Sequence, residues 1–369
     1  MEFTIDRGEF IHGLSLAQGV VERRNTLPIL ANVLIEANGG VSIAATDLEV
    51  HVKRRCAAAV RKPGAATVGA RKLYEFVREL RAGNDVVVRL LDNQFVEVVS
   101  GRSRLKLVGL PATDFPAFAQ GKEASVASFR IAAARLARLI DSTLFAVSAD
   151  DTRPHLAGVF AAASGGTLRC VGTDGHRLAM IEEPLKESGL DFKGLILPRK
   201  GLSEIRKLLD EEGEDAKLTI AANAIKLERG QVEYLVRLID GEFPNYEQVL
   251  PKSTKHKIVV DKSELFSALR RVSVVASDRA RGVKLHLAAG QLVVSASSPE
   301  FGEASEEIEV AYRDEEFSVG FNARYLTDVL AVLPDDQRVE IGLSDDVSPG
   351  VLRAEDDESY SYIVMPMRL

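Results

Sequence analysis

Apolar residues recur at i, i+3, i+4 and i+7 in three stretches: IDRGEFIHGLSLAQGVV (5–21), IAAARLARLIDSTLFAVS (131–148) and VDKSELFSALRRVSVVA (260–276). That spacing predicts helices with one buried face. In the third, Leu265, Leu269 and Val272 share the buried side, with Phe266 beside them. Each stretch follows a short strand-like run: EFTI, ASFRI or KIVV. A second helical pattern recurs as ARKLYEFVREL (70–80), PRKGLSEIRKLLD (198–210) and NARYLTDVLAVL (322–333). Pro198 suits the first helical turn, where a missing N–H costs nothing.

Alternating apolar and polar positions fill the intervals and predict strands. VSIAATDLEVHVKR (41–54) matches LRCVGTDGHRLAMI (168–181), and both carry Thr-Asp. Their third counterpart, LVVSASSPEFGEASEEIEV (292–310), carries Ser-Ser-Pro instead. The first two copies close on similar phrases, LPATDFPAF and LIDGEFPNY; the third closes on SYIVMPMRL. Asp47 and Asp174 are 127 residues apart; Arg71 and Arg199, like Pro116 and Pro244, are 128 apart. One spacing at three landmarks predicts a domain-sized repeat. The fold class is therefore α+β: three repeated domains, 1–122, 123–251 and 252–369, each with two helices and about eight mainly antiparallel strands.

The length, 369 residues, agrees with two or three domains of ~100–200 residues each. The two cysteines, Cys56 and Cys170, form no Cys-x-x-Cys, so neither a zinc ribbon nor a disulfide scaffold is expected. A charged N-terminus and no apolar run near ~18 residues predict a cytoplasmic protein with no membrane span. The net charge of −7 does not by itself exclude nucleic acid, because the local field depends on where charges sit.

The run CVGTDGHRLAM (170–180) places Asp174, Gly175, His176 and Arg177 together. An Asp beside a His raises a hydrolase reading. Catalysis would need more, and the chain has no G-x-x-x-x-G-K-[ST], H-E-x-x-H, G-x-S-x-G or G-x-G-x-x-G. Its six histidines lack ligand spacing, so no metal or cofactor is expected. Asp-Gly between apolar strands favours a tight hairpin turn with His176 at the surface. Aligning the copies on Thr-Asp sets Gly175 against Leu48 and His176 against Glu49. The fold does not require Gly-His-Arg there, which points to a binding corner.

Ten phrases spread along the whole chain carry a family resemblance. They are RRNTLPILANVL (23–34), TDLEV (46–50), GRSRLKL (101–107), DFPAF (114–118), TDGHRLA (173–179), LPRKG (197–201), DGEFPNY (240–246), RGVKL (281–285), GFNARYL (320–326) and YIVMPMRL (362–369). Together they resemble the bacterial sliding clamp, the beta subunit of DNA polymerase III. The resemblance implies a head-to-tail homodimer that rings duplex DNA, with helices inside and sheets outside. Such a ring tethers the replicative polymerase of the holoenzyme and does no chemistry itself. A non-replicative ring paralogue is the alternative within the same architecture.

A ring that slides should attract phosphates without reading bases. Basic residues on the helices are the candidates: Arg23, Arg24, Arg71, Lys72, Arg135, Arg138, Arg199, Lys200, Arg270 and Arg271. The resemblance favours Arg24, Arg71, Lys72, Arg199 and Lys200. The loop ADDTRPHL (149–156) lacks the aromatics that some family members carry near DNA. With no ATP motif in the chain, a separate ATP-driven clamp loader is implied.

For the subunit interface, Arg102, Arg104 and Lys106 alternate with Leu105 and Leu107, whereas EFGEASEEIE (300–309) carries Glu300, Glu303 and Glu306 among five glutamates. Opposed charge on two different surfaces suits a closed head-to-tail contact. Lys72, Phe76 and Leu80 join the first surface, and Val274 and Val275 the second. The resemblance further implies a pocket for partner peptides at the odd corner. It assigns Leu156, Thr173, Gly175, His176, Arg177, Leu178, Pro244, Val249, Asn322, Tyr325, Val347, Ile363, Val364, Met365, Pro366, Met367 and Arg368 to that pocket. Gln248, Ala280 and Pro349 depart from the family's pattern at its rim.

Overall fold

A computed structural model describes residues 1–22, 27–117, 127–150, 152–185, 190–276 and 281–369. Among them are six α-helices: α1 (Arg7–Val20), α2 (Ala70–Glu79), α3 (Ala133–Leu144), α4 (Arg199–Leu209), α5 (Lys262–Val272) and α6 (Ala323–Val332). All six fall inside the stretches picked out by helical spacing.

Capping fixes where three of them begin. Asp6 accepts from the backbone N–H of Gly8 (2.7 Å) and Glu9 (3.1 Å) at the start of α1. Asp261 does the same for Ser263 (2.9 Å) and Glu264 (3.0 Å) at α5. Asn322 accepts from Arg324 N–H (3.0 Å) at α6. Each satisfies backbone donors that the first turn leaves without partners. Pro198 is a correction: it ends the strand Phe192–Pro198, and α4 begins one residue later. In α5, Leu265, Ala268, Leu269 and Val272 are buried, as the spacing predicted.

The chain divides into two compact units. The first, Met1–Leu136 with Lys200–Leu238, holds a 13-stranded sheet. Its order runs from Ala127–Ile131 through Ala216–Ile220, Ala224–Arg229, Val232–Arg237, Val50–Cys56, Val41–Thr46, Asn32–Ala37, Gly64–Gly69, Ser103–Leu110, Phe95–Ser100, Asp85–Leu90 and Glu2–Asp6 to Ala58–Lys62. Val232–Arg237 pairs antiparallel with Val50–Cys56, with Val236 opposite Val50. Strands from the middle of the chain thereby extend a sheet begun by its first third. Helices α1 and α2 pack together in this unit, and α1 covers Val41–Thr46 and Val50–Cys56.

The second unit, Ala137–Arg199 with Ile239–Leu369, holds two sheets. Its eight-stranded sheet joins Arg177–Pro184 to Tyr360–Val364, with Arg177 opposite Val364 and Leu178 opposite Ile363. A separate four-stranded sheet ends on the strand Gly302–Glu309. Every pairing between described strands is antiparallel.

The two Thr-Asp turns have the same backbone. Thr46 Oγ1 accepts from Leu48 N–H (2.9 Å), and Thr173 Oγ1 from Gly175 N–H (3.1 Å). Asp47 Oδ1 accepts from Glu49 (2.9 Å) and Val50 (2.7 Å), as Asp174 Oδ1 does from His176 (2.9 Å) and Arg177 (3.1 Å). The first central residue sits at positive φ in both: 81° for Leu48 and 90° for Gly175. Glycine adopts that region freely, whereas a Cβ there costs roughly 1–2 kcal/mol. Leu48 is exposed and fills no core. Leu48→Gly is therefore expected to raise stability by about 1 kcal/mol, read as a higher urea midpoint at unchanged slope.

Candidate functional site

The odd corner opens into a groove enclosing about 140 Å³. Its lining takes in ten residues of the sequence-derived set: Leu156, Thr173, Gly175, His176, Arg177, Leu178, Pro244, Val249, Ile363 and Met365. Four segments converge there. A short 3-10 turn, Pro154–Leu156, brings in Leu156, and a second, Tyr246–Val249, brings in Val249. The paired strands Arg177–Pro184 and Tyr360–Val364 supply the floor, where Leu178 and Ile363 pack with Val171 in a buried cluster.

Asn245 and Tyr246 also line the groove, and the sequence reading missed them. Their signal was present in the phrase FPNY, directly after Pro244. Phe160 and Phe243 stack at 5.0 Å, and Tyr246 packs on both rings at 5.7 and 6.2 Å. Arg169 donates to Tyr246 Oη (3.1 Å) and to Glu247 (3.1 Å), holding this wall from its far side.

Seven assigned residues do not line the groove. Val364 is fully buried in the sheet pairing, facing the core. The Asn322 side chain is spent on capping α6. Tyr325 stands behind the corner, its ring 4.6 Å under the Arg177 guanidinium and 6.5 Å from the His176 ring. Met367 is hydrogen-bonded to Gly320 O (2.8 Å), away from the floor. Val347, Pro366 and Arg368 also fall outside the lining. At the rim, Gln248 lies within the turn Tyr246–Val249, Pro349 directly precedes the strand Gly350–Ala354, and Ala280 lies outside the described residues.

Arg177 is the keystone of the corner. Its side chain is only 8% exposed and is held by Asp174 (3.1 Å) and Asp328 (2.6 Å). A third bond reaches Phe145 O (2.8 Å). Burial alone would make its charge less favourable, but the Tyr362 hydroxyl and the Asp328 and Asp174 carboxylates outweigh it and raise its pKa. Arg153 donates to Asp174 O (3.1 Å) and so ties residues 152–156 to the turn.

This geometry removes the hydrolase pair. Asp174 Oδ1 accepts from two backbone N–H groups, and Oδ2 accepts from Arg177 Nε. The carboxylate holds the turn rather than the imidazole. The cysteines offer no nucleophile either: both are buried, and burial pushes the Cys170 thiol up to about 12. Among the described residues no cluster of His, Cys, Asp or Glu could hold a metal ion.

The basic candidates divide by what they touch. Arg71 and Lys72 are exposed on α2 and share Glu75, at 2.7 and 2.8 Å. Hydrogen bonds from Lys72 and then Arg71 depress the Glu75 carboxyl to about 2. Its support for α2 is thus present at neutral pH and is lost only as pH falls from the ordinary Glu range toward about 2. Arg199 is exposed at the start of α4. Lys200 differs: it is bound to Asp47, whose side chain is 3% exposed, and to Glu22. Arg138 is similarly taken by Glu183 and Asp357, and Arg271 by Glu306. Arg23 and Arg24 lie outside the described residues.

Among the described strands with an unpaired side, two carry opposite charge. Ser103–Leu110 pairs fully with Phe95–Ser100 but meets Gly64–Gly69 only at Gly109 and Leu110. Arg104 and Lys106 are exposed along it, while Leu105 and Leu107 are half-buried on the other face. Arg102 sits in the turn just before. Gly302–Glu309 is an outer strand, with Glu303 exposed, Glu306 half-buried and Glu300 in the preceding turn. Val274 is 78% exposed, with Val275 partly covered beside it. Phe76 is half-buried, and Leu80 is already buried by its own unit, so Leu80 offers a partner little area.

Known proteins match this chain from end to end. Residues 1–119, 130–245 and 247–368 match the N-terminal, central and C-terminal domain models of the DNA polymerase III beta subunit. A beta sliding clamp of Pseudomonas aeruginosa is 40% identical, and one of Escherichia coli K12 is 37% identical, each over the whole of both chains. A crystal structure of the P. aeruginosa sliding clamp bound to griselimycin superposes with a TM-score of 0.94 at 39% identity, covering both chains completely. With three domain models matched in order and full-length relatives at this identity, the chain belongs to the DNA polymerase III beta subunit family.

Proposed function

We infer that this chain is the processivity clamp of a replicative DNA polymerase: a ring that encircles duplex DNA and tethers its partners without transforming a substrate. The groove at the Asp174–Arg177 turn carries the reading. Apolar walls, an adaptable methionine and a few fixed polar groups suit a short peptide that several partners can share. Griselimycin, the ligand of the P. aeruginosa relative, is the natural probe for it.

The ring consists of two copies in head-to-tail contact, each built from three repeats near 1–122, 123–251 and 252–369. The open basic edge of Ser103–Leu110 meets the open acidic edge of Gly302–Glu309 of the second copy. An unpaired edge invites another strand, and opposed charge selects which one. Val274 and Val275 then meet Phe76, Leu105 and Leu107. No described helix is long and apolar enough to cross a membrane, which agrees with work in the cytoplasm. An ATP-driven loader opens the ring.

Duplex binding falls on Arg71, Lys72 and Arg199, through phosphates alone. Replacing Arg71 and Lys72 together by Ala should flatten the dependence of log affinity on log salt by roughly 2, about one unit for each phosphate no longer neutralised. Lys200→Ala should flatten it less, because two carboxylates hold that ammonium and it is only 31% exposed, whereas Arg71 and Lys72 share one carboxylate and are 63% and 71% exposed.

The reading itself is tested by topology. Protein loaded onto nicked circular DNA should remain through gel filtration at moderate salt and run off once the circle is cut. Equal retention on circles and linear DNA would mean ordinary electrostatic binding and no ring.

A further inference from the structure

The last residues of the chain reach the groove through a seat that no groove residue provides. Met365 N–H donates to His176 O (2.9 Å), placing Met365 at the groove wall. Two residues on, Met367 N–H donates to Gly320 O (2.8 Å) in the strand Phe317–Asn322. Pro366 between them has no N–H, so these two bonds pin the tail on either side of it.

The second pin depends on a missing side chain. A Cβ on Gly320 would stand 2.5 Å from Met367 O and 2.7 Å from Leu369 Cγ. Gly282, opposite Asn322 on the neighbouring strand, leaves room in a related way. A Cβ there would meet Leu369 Cδ2 at 2.3 Å. Neither glycine has a positive φ, so backbone conformation is not what calls for glycine at these positions.

We propose that Gly320 is a positioning residue for the peptide groove: its bare Cα seats the Met367 backbone and thereby holds Met365 in the wall. Gly282 has a lesser part, making room only for the tip of Leu369. The two clashes differ in kind. The one at Gly320 involves a backbone oxygen that cannot swing away without breaking the pin. The one at Gly282 involves the end of an exposed, flexible side chain. This inference rests on the groove being the peptide site, as proposed above.

The chain has four methionines, Met1, Met180, Met365 and Met367, so a methyl-labelled methionine spectrum reports on the tail with two internal controls. That spectrum, griselimycin affinity and thermal melting would be measured on the full-length protein. In Gly320→Ala, the Met365 and Met367 signals should shift and sharpen while Met1 and Met180 stay in place. Griselimycin affinity should fall at least tenfold with little change in melting temperature. Removing Leu369 should not rescue this variant, since Met367 O still collides. Gly282→Ala should lose no more than threefold, and removal of Leu369 should restore it.

Unmoved Met365 and Met367 signals in Gly320→Ala would overturn the seat, whatever happens to affinity. So would tail signals that move while griselimycin binds as tightly as to the parent. If the parent protein fails to bind griselimycin, the groove reading fails, and the methyl spectra still decide whether Gly320 seats the tail.

Discussion

Arg177→Ala is expected to cost about 3–5 kcal/mol of stability and to abolish griselimycin binding. The guanidinium is nearly inaccessible and satisfies two carboxylates and a backbone carbonyl at once. Removing it leaves Asp174, whose side chain is 15% exposed, facing Asp328 with no cation between them. It also removes the plane packed over Tyr325 (4.6 Å) and Phe145 (5.5 Å). The turn then loses the side-chain bond to Asp174 Oδ2, which weakens the hold of Asp174 on the His176 N–H at the groove. Arg177→Lys keeps the charge but not the fork, and should recover only part of the loss. Urea unfolding gives the first quantity and fluorescence titration with griselimycin the second. A variant within about 1 kcal/mol of the parent that still binds would show that the corner does not depend on this residue.

Charge reversal on one edge should break the ring, and reversal on both should remake it. Arg102→Glu, Arg104→Glu and Lys106→Glu together set an acidic edge against an acidic edge. Glu303→Lys, Glu307→Lys and Glu309→Lys, at the three glutamates exposed along Gly302–Glu309, set a basic edge against a basic one. Like charges in register cost several kcal/mol, so either triple variant alone should raise the dimer dissociation constant on the order of a thousandfold. Mixed in equal amounts, the two chains form one native contact and one with both signs exchanged. The mixture should therefore dimerise and stay on nicked circles although neither component does. Analytical ultracentrifugation and the circle assay read this directly. If both variants remain dimeric alone, the contact lies elsewhere on the molecule.

Much of this protein was legible along the chain. Helical spacing found six helices because each buries one stripe of side chains, and the stripe is written locally in residues such as Leu265, Leu269 and Val272. Asp6 and Asp261, which the sequence reading did not single out, start two of these helices for an equally local reason: a cap bonds to N–H groups two and three residues away. The repeat was visible as an offset of 127 or 128 residues at three landmarks, and the turn at Asp174–Arg177 as an Asp-Gly pair.

What the chain could not show was which surfaces these pieces present. Lys200 reads as a free cation on a helix, yet it is bound to Asp47, 153 residues away. Val364 reads as part of the groove, but strand pairing turns it into the core while its neighbour Ile363 faces the floor. Gly320 reads as one more strand glycine, and only the returning tail gives it a role. Sequence determined the elements, because propensity, capping and periodicity act within about four residues. Tertiary structure alone decided which charges are free, which side chains line the groove and what the C-terminal residues rest on. Those depend on segments far apart in the chain, and no local pattern encodes them.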